Sequence, residues 1–245
     1  MFEPRVALAS LSGRSDAAWA RAATEYVGAA FLGGIALDDR SREAARRLVA
    51  RDREEFLPPD PLSFLDRELR KLTDEPLRPG FNVRSATVDP VGEAAAICAD
   101  HDAILEVNAH CRQEELRAVG CGETLLRDTD RLAEYVWTAA ATGADVSVKV
   151  RAEVPGVDLV ETARAIEAAG ADAIHVDAMD TEPAVRAVAE ATDLFVVANN
   201  GVRDRESVRE YLDYGADAVS VGRPSDDPRV LERVRAATVA WFDGR

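Results

Sequence analysis

The chain has 245 residues, 47% of them hydrophobic, with three cysteines, and Lys71 and Lys149 as its only lysines against a formal net charge of −15. That length suits one (β/α)8 barrel of about 250 residues; no apolar run nears the roughly 18 residues of a membrane span, and Met1-Phe2-Glu3-Pro4-Arg5 lacks signal-peptide anatomy. Unpaired cysteine spacing excludes a disulfide framework and predicts a reducing, cytoplasmic setting, while the acidic balance excludes a broad basic nucleic-acid face and predicts a salt-adapted, halophilic cytoplasm.

Taken in order, short apolar runs alternate with amphipathic stretches. The predicted strands are residues 5–8, 29–35, 80–84, 103–108, 146–151, 173–176, 194–198 and 218–221. The helices between them begin near Asp16, Asp38, Asp89, Thr129, Asp158, Glu182, Asp204 and Asp227, and several open on an acidic residue suited to a helix N-terminus. Gly170-Ala171-Asp172-Ala173 and Gly215-Ala216-Asp217-Ala218 repeat one device, a helix-ending glycine followed by a turn into a strand, and Gly143-Ala144-Asp145 is a third copy. Residues 51–77, interrupted by Pro58-Pro59-Asp60-Pro61, are expected to be a helical elaboration after the second strand. Repeated strand–helix alternation implies a parallel sheet. Closure at eight implies a single-domain α/β (β/α)8 TIM barrel spanning residues 1–245, and even spacing favours it over an open doubly wound sheet.

In such a barrel the active site lies at the C-terminal strand ends. Those ends carry Ser10-Leu11-Ser12-Gly13, Asn82-Val83-Arg84, Asn108-Ala109-His110-Cys111, Lys149-Val150-Arg151, His175-Val176-Asp177, Asn199-Asn200-Gly201 and Gly222-Arg223. Lys149 sits in a strand of buried character. A buried lysine needs a defined partner, which is either Glu106 on the neighbouring strand or an anionic or electron-rich ligand such as a reduced flavin ring. Glycines after strands seven and eight let backbone N–H groups approach, and Arg223 adds a clamp, so these loops suit a phosphate. Cys111 is a nucleophile, a general acid or a small buried residue; Cys98 falls on an apolar helical face. The histidines and cysteines show no metal-ligand spacing, so no metal site is expected.

The stretch Leu105-Glu106-Val107-Asn108-Ala109-His110-Cys111 resembles the Glu-x-Asn-x-Gly-Cys-Pro motif of the tRNA-dihydrouridine synthases, flavin enzymes on a (β/α)8 barrel. The resemblance runs the length of the chain. Leu8-Ala9-Ser10-Leu11-Ser12-Gly13-Arg14-Ser15-Asp16 is similar to that family's Leu-Ala-Pro-Met-Ala-Gly-Val-Thr-Asp opening, and Phe81-Asn82-Val83 to its Val-Gln-Leu strand. Gly122-Glu123-Thr124-Leu125-Leu126 falls at the family spacing after the cysteine. Val148-Lys149-Val150-Arg151 is similar to Val-Lys-Ile-Arg, and Ile174-His175 to the start of Ile-His-Gly-Arg-Thr, while Asn200-Gly201 and Gly222-Arg223 match its phosphate loops.

The resemblance implies FMN as cofactor, held by Ser10, Leu11, Ser12, Asn82, Lys149, His175, Asn200, Gly201, Gly222 and Arg223, with NAD(P)H as reductant. It implies hydride transfer from reduced FMN to C6 of a uracil ring and protonation of C5 by Cys111 as general acid. Asn108, His110, Arg112 and Arg151 then face a pyrimidine-containing substrate, in tRNA or free. The chain departs from the family at His110, Arg112 and Val176-Asp177-Ala178, and it ends without the family's C-terminal helical domain, which marks a shorter, archaeal-type relative. A dihydroorotate-dehydrogenase-like enzyme shares the barrel, lysine and phosphate loops; a barrel that binds a phosphorylated ligand without catalysis is the reading from another class.

Overall fold

Residues 1–244 are described by the computed structural model. The strands are β1 (Val6–Leu8), β2 (Ala29–Ala36), β3 (Arg78–Arg84), β4 (Ile104–Asn108), β5 (Asp145–Arg151), β6 (Ala173–Asp177), β7 (Phe195–Asn199) and β8 (Ala218–Val221). They pair in sequence order, all parallel, and β1 closes on β8. The helices are α1 (Ala17–Arg21), α2 (Asp39–Val49), α3 (Pro61–Arg70), α4 (Asp89–Asp100), α5 (Glu114–Ala118), α6 (Glu123–Leu126), α7 (Thr129–Ala140), α8 (Leu159–Ala168), α9 (Pro183–Ala191), α10 (Arg205–Asp213) and α11 (Pro228–Asp243), with a 3-10 turn at Arg223–Asp226. This is a (β/α)8 TIM barrel.

Acidic residues set the helix starts by a common mechanism. The side chains of Asp16, Asp38, Asp60, Asp128, Asp158, Asp204 and Asp227 each accept a hydrogen bond from a first-turn N–H group that the helix itself leaves unpaired. The Gly-Ala-Asp repeats work at the other end. Gly170 and Gly215 adopt φ of +101° and +91°, a left-handed turn open to glycine. The aspartates that follow reach the preceding strand: Asp172 accepts from the Val146 N–H at 2.8 Å and Asp217 from the Val196 N–H at 2.9 Å. The elaboration after β2 comprises an irregular stretch, bridged to the barrel through Ile35 and Phe56, and then α3.

Strand alternation divides the barrel interior by height. A period of two sends Ile104, Glu106 and Asn108 of β4 inward, with Ser147, Lys149 and Arg151 of β5 and Ala173, His175 and Asp177 of β6. Toward the N-terminal end these positions are apolar: Phe2, Ala7, Ala29, Phe31, Ile104, Val197 and Ala218 form a cluster of their own. Toward the C-terminal end they turn polar. The larger apolar core lies between the outward strand faces and the helices. Among the described residues no helix is long and apolar enough to cross a membrane.

Candidate active site

A hydrogen-bonded chain climbs from the barrel interior to the Cys111 turn. His175 Nε2 meets Ser220 Oγ at 2.8 Å, and its Nδ1 meets Glu106 at 2.6 Å. Glu106 also accepts from Asn82 Nδ2 at 2.7 Å, and Asn82 accepts from Asn108 Nδ2 at 2.9 Å. Asn108 Oδ1 then accepts the backbone N–H groups of His110 and Cys111 at 3.2 and 3.0 Å. Burial works to raise the Glu106 pKa, but contacts with His175, Lys149 and Asn82 hold it below the ordinary carboxylate value. Burial pushes His175 down, so a neutral imidazole donates its Nδ1–H to an ionised carboxylate.

The Cys111 turn is fixed from above as well. Its carbonyl accepts the Glu123 N–H at 2.9 Å, and Gly122, at φ +60°, packs so closely that a Cβ there would sit 2.0 Å from that oxygen. Only glycine permits this approach. Cys111 is half-buried and lines the mouth, whereas Cys98 and Cys121 are enclosed in the core, where burial pushes the Cys121 thiol up to about 12.

Lys149 is 3% exposed. Among the described residues its ammonium takes no hydrogen bond and joins no ion pair; burial lowers its pKa, with Glu106 and Asp177 opposing that from longer range. Of the two partners the sequence offered Lys149, the Glu106 ion pair does not form, because Glu106 is already occupied by Asn82 and His175. A second hub lies beside it. Asp177 at the end of β6 meets His110 Nε2 at 2.5 Å and Arg151 Nη1 at 3.4 Å through Oδ2, and accepts from Asn200 Nδ2 at 2.8 Å through Oδ1. Burial acts to raise its pKa, but these partners hold it well below the usual carboxylate range.

Two adjoining cavities open at this mouth, of about 690 and 470 Å³, and both are walled by Ser10, Leu11, His110, Lys149 and Arg223. The larger also takes in Ser12, Asn108, Cys111, Arg112 and Arg151; the smaller takes in Asn200, Gly201 and Gly222. A Cβ at Gly201 or Gly222 would meet nothing within 4 Å, so both backbones face open space. Cations gather here in an otherwise acidic chain, Arg14, Arg84, Arg112, Lys149, Arg151 and Arg223 among them. A separate groove of about 610 Å³ lies at the opposite end, beside Arg78 and His101, away from these groups.

Two expected site residues lie elsewhere. Asn82 and His175 are wholly enclosed and line neither cavity, because their polar atoms are spent on Glu106, Asn108 and Ser220. His175 packs instead against Phe31, with ring centroids 5.3 Å apart. Asp177, visible in the sequence only as a departure from a motif, is the hub; its place at an inward strand end was the available signal. Arg84, bound to Glu55 at 2.7 Å and to Ser12, joins the residue 51–60 segment to the mouth, a contact no local pattern announces.

The sequence profile of the dihydrouridine synthase (Dus) family matches residues 71–241. The uncharacterized protein MJ0144 of Methanocaldococcus jannaschii is 26% identical over 91% of this chain and 89% of its own length. A dihydroorotate dehydrogenase B (NAD(+)) catalytic subunit of Methanothermobacter thermautotrophicus is 27% identical over 69% of this chain and 65% of its own. A probable tRNA-dihydrouridine synthase of Rhodobacter capsulatus is 32% identical over 63% and 52% respectively, so the chain spans about half the length of that synthase. Among solved structures, a FabK mutant from Thermotoga maritima superimposes with a TM-score of 0.60 at 16% identity, covering 90% of this chain and 61% of that one, a likeness of fold alone. With the profile matching well over half of its length, the chain belongs to the dihydrouridine synthase family.

Proposed function

We propose that the chain is an FMN-dependent oxidoreductase of the dihydrouridine-synthase type, acting on the C5=C6 bond of a uracil ring. The observation that carries this reading is the Lys149 ammonium, buried at the junction of two cavities with no partner among the described residues. A buried cation left unpaired is costly unless a ligand completes it. The residues present fit FMN. Lys149, Ser10, Leu11 and Ser12 would hold its ring system, and the open backbones of Gly201 and Gly222, with Asn200 and Arg223, would hold its phosphate.

Bound there in reduced form, FMN would supply hydride chemistry at C6, with NAD(P)H as its reductant. The protein's own part is positional and protonic. Asn108 fixes the turn by accepting the His110 and Cys111 N–H groups, and the Cys111 thiol, at the wall of the larger cavity, gives its proton to C5. His110, Arg112 and Arg151 orient the substrate in the same cavity. Asn82 and His175 act from below, holding Glu106 and through it the Asn108 turn.

Titration of the purified chain with FMN, followed by flavin fluorescence quenching, tests the cofactor; absence of binding rejects the reading. Turnover of the reduced, FMN-loaded chain with unmodified tRNA tests the substrate. The dihydroorotate dehydrogenase relative favours a second reading, an enzyme on free pyrimidines, and reduction of the oxidised, FMN-loaded chain by dihydroorotate, with no turnover of tRNA by the reduced chain, selects it.

A further inference from the structure

The side chain of His110 stands where both cavities meet, 26% exposed, and one of its ring nitrogens is committed. Nε2 is bound to Asp177 Oδ2 at 2.5 Å, while the other oxygen of that carboxylate takes the Asn200 amide at 2.8 Å. An ionised carboxylate only accepts, so the imidazole proton resides on Nε2. Nδ1 is then a lone pair, and among the described residues it has no partner. Burial leaves it so: it opposes a second proton against the pull of the Asp177 hydrogen bond and charge on β6, and Lys149 and Arg151 on β5 add to that opposition.

We propose that His110, fixed as a hydrogen-bond acceptor by Asp177, reads a ring N–H of the bound pyrimidine and thereby selects uracil over cytosine. This rests on the reading of the larger cavity as a pyrimidine site. At N3 uracil carries N–H, a donor that the Nδ1 lone pair accepts. Cytosine carries a lone pair at N3, which meets another lone pair and leaves both unpaired in a buried place. Asp177 is a positioning residue in this scheme: it chooses the tautomer and touches no substrate, as an orienting carboxylate does in other imidazole sites. Replacing it with asparagine reverses the choice. Asn200 still donates toward the Oδ1 position at 2.8 Å, a shorter contact than the 3.4 Å one from Arg151 to the Oδ2 position, which draws the new amide oxygen toward Asn200 and turns the amide NH2 toward Nε2. Nε2 becomes the acceptor and the ring proton moves to Nδ1.

The test is binding of uridine and cytidine to the purified chain, with and without FMN, by calorimetry. Nucleosides keep the probe off the phosphate loops. The wild-type chain is expected to favour uridine by about tenfold, the worth of one such hydrogen bond made against one left unpaired. His110→Phe keeps the ring and removes the acceptor, so the preference falls to within about twofold. Asp177→Asn is expected to show an Nδ1 proton in its ¹⁵N histidine spectrum and to move the ratio toward cytidine by about tenfold or more. Uridine preference retained in His110→Phe, or in Asp177→Asn with Nδ1 protonated, overturns the inference, as does a wild-type chain that binds neither nucleoside. FMN binding with equal affinity for the two nucleosides refutes this inference alone. Selective uridine binding without FMN binding refutes the flavin reading and leaves this one standing.

Discussion

Lys149→Met separates a ligand-binding lysine from a structural one, because the two roles predict opposite signs. The ammonium is buried and, among the described residues, without a direct partner, so the folded chain carries its desolvation cost with only longer-range attraction from Glu106 and Asp177 in return. Those carboxylates remain satisfied without it: Glu106 keeps Asn82 and His175, and Asp177 keeps His110, Arg151 and Asn200. Methionine fills a similar volume with no charge. Replacing a buried ion pair by apolar side chains is neutral or stabilises by about 1–4 kcal/mol, and a buried ion with no direct partner carries the same desolvation cost with less in return. A gain of about 2 kcal/mol would raise Tm by about 4–8 °C in a chain of this size. FMN binding should move the other way. Loss of a hydrogen bond from a charged donor costs about 1.5–3 kcal/mol, which weakens the complex by about 10- to 150-fold. Calorimetric melting without flavin and a fluorescence titration with it give both signs on one preparation. A lower Tm with unchanged FMN affinity refutes the reasoning and makes Lys149 a structural cation.

Cys111→Ala should hold FMN affinity within about twofold while slowing oxidation of the reduced enzyme by substrate at least about 100-fold, the usual worth of a general acid, in a single-turnover measurement. Gly122→Ala places a Cβ 2.0 Å from the Cys111 carbonyl at a φ of +60°; strain of about 1–3 kcal/mol should lower the urea midpoint and displace Cys111, so turnover falls with stability. Stability should fall with acid in two stages. His110 and His175, both held by burial below the ordinary value of 6.5, take up protons first in the unfolded chain, so stability is full above pH 6.5 and declines as pH drops through their folded values. Glu106 and Asp177 lie below 4.5 and 3.8 despite burial, so their contribution is lost further down; urea unfolding across pH should show both stages, and His175→Gln should flatten the upper one.

The barrel was legible because its signals are local and repeated. Apolar runs of strand length fell between acidic N-caps and Gly-Ala-Asp turns, and each device proved to have a hydrogen-bonding reason. Helices α5 and α6 were not read, since elements of five and four residues are too short for helical periodicity to register. For the site, strand ends gave the right neighbourhood but not the depth. Lys149 and His175 are register partners on adjacent strands, yet one reaches the cavities and the other is wholly enclosed, its ring against Phe31. Strand tilt and stagger decide that difference, and no residue pattern within a single strand encodes it. The His110–Asp177 bond joins positions 67 apart in sequence, which places it beyond any local motif.

Depth also divides the polar groups by what they are for. Below the mouth, Glu106, His175, Asn82 and Ser220 complete one another's hydrogen bonds, and a network closed in this way stiffens the barrel without inviting a ligand. At the mouth that closure stops. Lys149 and His110 line both cavities, and among the described residues Lys149 Nζ and His110 Nδ1 have no partner, with Glu106 and Asp177 acting on the lysine only from longer range. The carboxylates are taken by other partners, and this leaves one donor and one acceptor free at a fixed geometry. Free groups of opposite hydrogen-bonding sense, rigidly mounted beside a half-buried thiol, form a site organised before its ligand arrives, and the protein rather than the ligand bears the cost of that order.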